Sequence, residues 1–253
     1  MRRFLLLSLL LFLHTASEVW GQESKFRFEF SMVQIDSTFD STSPTPVSHL
    51  MGRYRSEVES RMMTVLGFAP QEMRSFRPES PLSNFAADAL LQVAQLYTVE
   101  PVDFSITNFG GLRASFPKGE VRLYDVYAVF PFENTLVILE LEGKDVQELF
   151  DHFARRNRVE AVGNIKAEIE NGTITQLLIA GVPFDPDRRY RVATIDFLLG
   201  GGDGVAALRN AVSVEDTGIM IRDVVVHYIS MLKSEGKEII ASIEGRIKMN
   251  QNE

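Results

Sequence analysis

Nine residues, "DFLLGGGDG" from Asp196 to Gly204, hold four glycines and two aspartates directly after a β-branched run. A phosphate-cradling P-loop would need a Lys-Ser/Thr pair after its glycines, and a dinucleotide turn would need the GxGxxG spacing. The stretch has neither. It is left as a tight turn or as the floor of another kind of site, with Phe197 and Asp203 beside Gly201 and Gly202. Three other stretches carry side chains able to bind. "TNFGGLR" sets Asn108 and Arg113 around a second double glycine, Gly110 and Gly111. "VFPFENT" puts Phe132 after Pro131, and "FRPESPLSNFAADAL" puts Arg77 and Glu79 before a helix start. All fall at the ends of elements, where binding groups sit on a rigid scaffold. Each has a plainer reading: Phe132 as core, Arg113 as a solvated charge, the glycines as ordinary turns.

Other chemistries find little support. The histidines are His14, His49, His152 and His227, and none belongs to an HxxxH, HExxH or DxH spacing. Packing or surface roles suit them better than metal ligation, although sites built only from Asp and Glu stay open to magnesium. There is no GxSxG elbow for a serine nucleophile. With no cysteine, thiolate catalysis, zinc–thiolate sites and disulfides are all excluded.

The elements that must position these residues read as a mixture. Lys25–Asp36 alternates and reads as a strand, and the Ser/Thr/Pro-rich residues after it as a linker. Leu50, Tyr54, Val58, Met62 and Val65 recur at helical spacing, with Gly67 as the stop. Ser80 is an N-cap and Pro81 a first helical residue for a stripe of Leu82, Phe85, Ala86, Ala89, Leu90 and Val93. "VDFSIT", "NTLVILELEG" and "RYRVATIDFLL" read as strands, "GEVRLYDVYAVF" as a turn and short helix, and "KDVQELFDHFARR" as a helix with a solvated acidic face. Asn171-Gly172 supplies the positive φ of a hairpin turn, which accounts for the Asn-Gly-Thr sequon there. "DTGIMIRDVVVHYISMLKSEG" reads as a C-terminal helix and "GRIKM" as a last strand. Interleaved hairpins and helices imply an α+β fold of mixed β-sheets packed with helices.

The 253 residues suffice for one large domain with an added segment, and 45% are hydrophobic. "MRRFLLLSLLLFLHTAS" has the charged, apolar and small-residue order of a secretory signal peptide, with cleavage expected near Ser17 or Gly21. We therefore expect residues 1–21 as a leader, 22–47 as strand plus linker and 48–253 as the domain, in an exported protein, periplasmic or secreted, without a membrane anchor. A formal charge of −8 argues against nucleic acid as a partner. It also requires an anionic ligand to be held by local arginines and backbone N–H groups.

Taken in order and spacing, SPLSNFAADAL, NFGGLR, PFENTL…LEG and DFLLGGGDG resemble the C-terminal domain of the 5'-nucleotidase / UDP-sugar hydrolase family over about Gly67 to Met249. The resemblance implies a 5'-nucleotidase C-terminal domain-like fold that recognises a nucleotide or nucleoside. It implies a base between the rings of Phe132 and Phe197, ribose hydroxyls on Asp203, and the phosphate side met by Asn108, Arg113 and an arginine before the "LSN" helix. For that arginine Arg77 is chosen over Arg74. The family's metallophosphatase domain, with its two-metal site, has no counterpart in the residues before the resemblance. The expectation is a chain with no cofactor and no catalytic residue of its own, inactive alone. Any divalent metal would sit on a separately encoded metallophosphatase subunit. The alternatives are a stand-alone nucleoside-binding protein and a structural module whose pocket is lost.

Overall fold

The computed structural model describes residues 27–34, 36–37 and 45–250, and the expected signal peptide lies outside the described residues. The chain divides into two compact units, Met1–Leu50 and Met51–Glu253. In the first unit, the strand expected over Lys25–Asp36 is not formed across its described residues, 27–34. A strand is held by a neighbour that takes its N–H and C=O groups, and among the described residues no strand pairing involves this stretch. Phe30 and Met32 are exposed there.

Helix α1 (Pro46–Met62) begins earlier than its apolar spacing suggests, because Thr45 and Ser48 cap each other reciprocally. It also ends earlier. Val65 and Leu66 belong to strand β1 (Val65–Ala69), where Gly67 lies against Ile239 rather than stopping a helix. None of α1's residues is buried.

The second unit is α+β, with mixed sheets packed by helices. Its core helix α2 (Pro81–Ala94) starts as expected: the Ser80 and Ser83 side chains each accept from the other's backbone N–H, and Pro81 follows the cap. Its stripe is buried, and so are Ser83, Asn84, Ala87 and Ala94. The helix is covered on several sides by β2 (Phe104–Thr107), β5 (Ala161–Gly163) and helix α6 (Ile221–Ser234).

The principal sheet has five strands in the order β10 (Ser213–Met220), β4 (Thr135–Glu142), β9 (Arg189–Ile195), β2, β5. Only the β9–β2 pair is parallel. A second sheet joins β6 (Ile165–Glu170) and β7 (Thr173–Ile179) through Asn171-Gly172, both at positive φ as a tight hairpin requires. The strand β11 (Ile247–Asn250) adds parallel to β6 as the expected last strand. Helix α3 (Leu123–Val129) follows β3 (Gly119–Arg122), which pairs with β1. Helix α4 (Gly143–Arg156) follows β4 directly.

Other boundaries differ from the sequence reading too, and "GEVR", read as a turn, forms strand β3. "RYRVATIDFLL" leaves the sheet at Ile195 and coils into the single helical turn α5 (Asp196–Leu199). The segment from Asp216 to Met220 is the end of edge strand β10, and helix starts only at Ile221. In the resulting sheet β2, β4 and β9 are neighbours, and each adjoins one of the glycine- or phenylalanine-bearing loops.

Candidate functional site

Strand β2 ends in the turn Asn108-Phe109-Gly110-Gly111, whose last three residues form a 3-10 turn. Asn108 is buried, and its Nδ2 donates to Asp203 Oδ2 at 2.7 Å. That bond crosses 95 residues and ties the first glycine turn to the second. It also sets the amide's orientation, because only the NH2 group can face a carboxylate. Asn108 Oδ1 is left buried without a hydrogen-bond partner. A Cβ on Gly111 would lie 2.6 Å from that oxygen, so glycine is the residue that gives the amide its room.

Asp203 sits at φ 53 in the turn Gly202–Gly204. Around it, Gly202 lies under the Phe197 ring so closely that a Cβ would collide with three ring carbons. Gly201 lies against the Arg209 guanidinium, which donates to the Gly200 carbonyl. The ring of Phe197 is thus seated on the loop that carries Asp203, and it remains 44% exposed.

Phe132, in the connection between α3 and β4, is 47% exposed. It lines a shallow cleft with Thr107, Asn108, Gly111, Asn134 and Ile195, with about 280 Å³ of empty space including open solvent. Phe132 and Asn108 thus share one cleft, Asn108 is bonded to Asp203, and Gly202 beside Asp203 lies under the Phe197 ring. Both rings are far more open than the core phenylalanines Phe85, Phe104 and Phe150.

The arginines divide. Arg113 is exposed beside the first turn; its backbone N–H bonds Val129, and no ion pair or side-chain hydrogen bond engages it among the described residues. Arg77 is committed elsewhere. Its guanidinium bonds both oxygens of Glu160 at 2.9 and 3.0 Å, also donates to the Val159 carbonyl, and stacks 4.3 Å from the Phe109 ring centroid. Glu160 in turn accepts the Phe109 N–H at 2.8 Å. Arg77 and the buried Glu160 thus brace the first glycine turn from behind. Burial pushes the Glu160 carboxyl above its ordinary value, the Phe109 N–H and Arg77 oppose this, and the nearby charge of Asp203 adds to the rise. Arg74 pairs with Glu72 at the surface. Glu79 is also structural: its carboxylate accepts from Asn84 and from the backbone N–H groups of Glu244 and Arg246.

Three contributors escaped the sequence reading. Glu160, Arg156 and Arg209 lie outside every motif, and Arg156 sits on the helix read as a solvated face. Its Nη1 donates to the Asp203 carbonyl at 2.7 Å. Spacing gives no signal for such contacts. Among the described residues no group of three or more His, Cys, Asp or Glu side chains could hold a metal ion, and no helix is long and apolar enough to cross a membrane.

Comparison with known proteins places this geometry. The family model "5'-nucleotidase, C-terminal domain" matches residues 61–210. The trifunctional nucleotide phosphoesterase protein YfkN of Bacillus subtilis is 28% identical over 78% of this chain and 15% of its own length. Protein UshA of Escherichia coli is 31% identical over 50% of this chain and 24% of its own. The cell wall protein Lmo0130 of Listeria monocytogenes is 27% identical over 91% of this chain and 33% of its own. The chain thus spans a third or less of these relatives. Among solved structures, the 5'-nucleotidase precursor from Thermus thermophilus superposes with a TM-score of 0.69 at 28% identity, covering 81% of this chain and 43% of that one. The NAD nucleotidase of Haemophilus influenzae, at 21% identity and a TM-score of 0.64 over 81% of this chain and 41% of that one, shares the fold. Over more than half its length, this chain belongs to the 5'-nucleotidase C-terminal domain family.

Proposed function

We propose that this chain is the nucleoside- or nucleotide-recognising part of a 5'-nucleotidase-type phosphoesterase in nucleotide catabolism. In this reading it is exported, and the ester is cleaved at a dinuclear metal site on a separately encoded metallophosphatase chain. The carrying observation is the Asn108–Asp203 bond, which joins the turn beside the Phe132 cleft to the loop on which the Phe197 ring is seated, with both rings half exposed. Stacking contributes about 1–3 kcal/mol per base and tolerates different bases. The Asp203 carboxylate can accept from vicinal ribose hydroxyls, and the Arg113 guanidinium, without an ion pair among the described residues, suits phosphate oxygens. Hydrolysis by two metals needs many converging ligands that hold the ions about 3.5–4 Å apart, and this reading assigns them to the partner.

Two measurements test this. The purified protein is titrated with adenosine and AMP by calorimetry, where saturable binding is expected. It is then assayed for phosphate release from AMP with manganese, alone and with a metallophosphatase encoded beside its gene. Turnover only in the mixture supports the two-chain reading. Binding with no turnover in the mixture leaves a stand-alone nucleoside-binding protein. No binding of either ligand overturns the recognition role.

A further inference from the structure

We propose that Arg156 is the positioning residue for Asp203, holding the turn that offers this carboxylate to ribose hydroxyls, and that a neutral His152 ring in turn holds Arg156. The inference rests on the nucleoside reading above. Arg156, in the last turn of α4, reaches 47 residues along the chain to donate to the Asp203 carbonyl, and the same Nη1 lies 3.3 Å from His152 Nε2. Arginine carries only donors, so the imidazole nitrogen facing it accepts and the ring is neutral with its proton on Nδ1. Asp203 is a non-glycine residue at φ 53, a conformation that persists only where surroundings hold it. Asn108 holds its carboxylate, and Arg156 holds its main chain. Gly204 makes room for this strap: a Cβ there would be 2.7 Å from Arg156 Nη1 and 3.7 Å from His152 Nε2. Among the described residues Arg156 has no carboxylate at ion-pair distance, so the guanidinium's partners are the Asp203 carbonyl and the imidazole.

The charged groups around His152 are Glu148, Arg155 and Arg156 on its own helix. The facing segment contributes Val205, Ala206, Ala207 and Asn210 to the cleft His152 lines, none of them charged. Of the charged residues nearby on that segment, Arg209 turns to the Gly200 carbonyl and the Asp203 carboxylate to the Asn108 amide. Burial, then the charges of Arg156 and Arg155, hold the imidazole below its ordinary value, with Glu148 opposing. The ring therefore stays neutral, and the strap intact, at neutral pH. As pH falls through the lowered value, Nε2 becomes a donor facing a donor and the strap is lost.

Calorimetric titration with uridine and with 2',3'-dideoxyuridine between about pH 5 and 8 tests the coupling, since the uracil ring does not titrate in that range. Wild-type affinity for uridine should fall at least about fivefold as the pH drops below the lowered imidazole value, while the dideoxy ligand shows no such fall. His152→Gln, a neutral acceptor at every pH, should bind uridine without that fall. Arg156→Met should bind uridine at least about fivefold more weakly at pH 7.5 with dideoxyuridine unchanged, and Arg156→Lys should recover part of the loss. Identical pH profiles for wild type and His152→Gln, or equal weakening of both ligands by Arg156→Met, overturns the proposal. Absence of uridine binding to the wild type at any pH overturns the nucleoside reading, and this inference with it.

Discussion

A methyl group at position 202 has no room beside the Phe197 ring, yet Gly202 is not among the residues at positive φ. Gly202→Ala therefore moves the ring without straining the backbone. Adenosine affinity should fall about tenfold, the loss of roughly one stacking contact, while the melting temperature stays within a few degrees. Arg113 carries a separate prediction. Its guanidinium has no carboxylate partner among the described residues, so Arg113→Met should weaken AMP by about tenfold and leave adenosine unchanged in parallel titrations. Equal loss for both ligands would remove Arg113 from the phosphate side. At this scale the sequence was legible where a residue stood inside a motif. It was silent on Arg156 and on the partner of Arg77, since these contacts span 47 and 83 residues and are chosen by packing. Arg77 shows the cost: from sequence alone an arginine before the helix looks like a phosphate ligand, but a buried carboxylate binds it first.

Elements explain why the motifs converge. Strand β2 delivers Asn108, the connection into β4 delivers Phe132, and β9 delivers Phe197 and Asp203; the three strands are neighbours in one sheet. Their loops meet only if α2 sits correctly across β2 and β5, and that helix starts at the Ser80–Ser83 box. Ser80→Ala should cost about 1 kcal/mol, read as a lower urea midpoint at unchanged m-value. An unshifted midpoint would mean that tertiary packing alone sets the helix start. The helix was legible because Ser-Pro and a periodic stripe coincide. Strand β10 was not, since Asp216-Thr217-Gly218 reads as a helix approach. Edge pairing to β4, with an irregular register between Asp216 and Met220, overrides that local signal. The alternation misled in the opposite sense at residues 27–34: the pattern describes a strand, but pattern alone supplies no neighbour to pair with.

Across the whole molecule, the C-terminal segment is locked to the start of α2 by Glu79. Its carboxylate receives the Asn84 amide and two backbone N–H groups, those of Glu244 and Arg246. Arg246, itself buried, pairs with Asp88 through two bonds of 2.8 Å. Glu79→Ala strands three donors and should lower stability by about 3 kcal/mol or more. Amide exchange at Glu244 and Arg246 should quicken in the same variant, and unchanged protection there would refute the lock. The α+β class was legible from interleaved hairpins and helices, while this closure was not, because its partners lie 165 and 167 residues apart. The net charge of −8 bears on binding at this scale too, since it leaves anion capture to a few local guanidinium groups.

The account stands or falls on two rings closing over one base. Nuclear Overhauser contacts in the adenosine complex, with the phenylalanine rings labelled and assigned through Phe132→Leu and Phe197→Leu, address this directly. The account predicts cross-peaks from the adenine H2 and H8 protons to the rings of both Phe132 and Phe197. Saturable binding with contacts to one ring alone, or to neither, would contradict it.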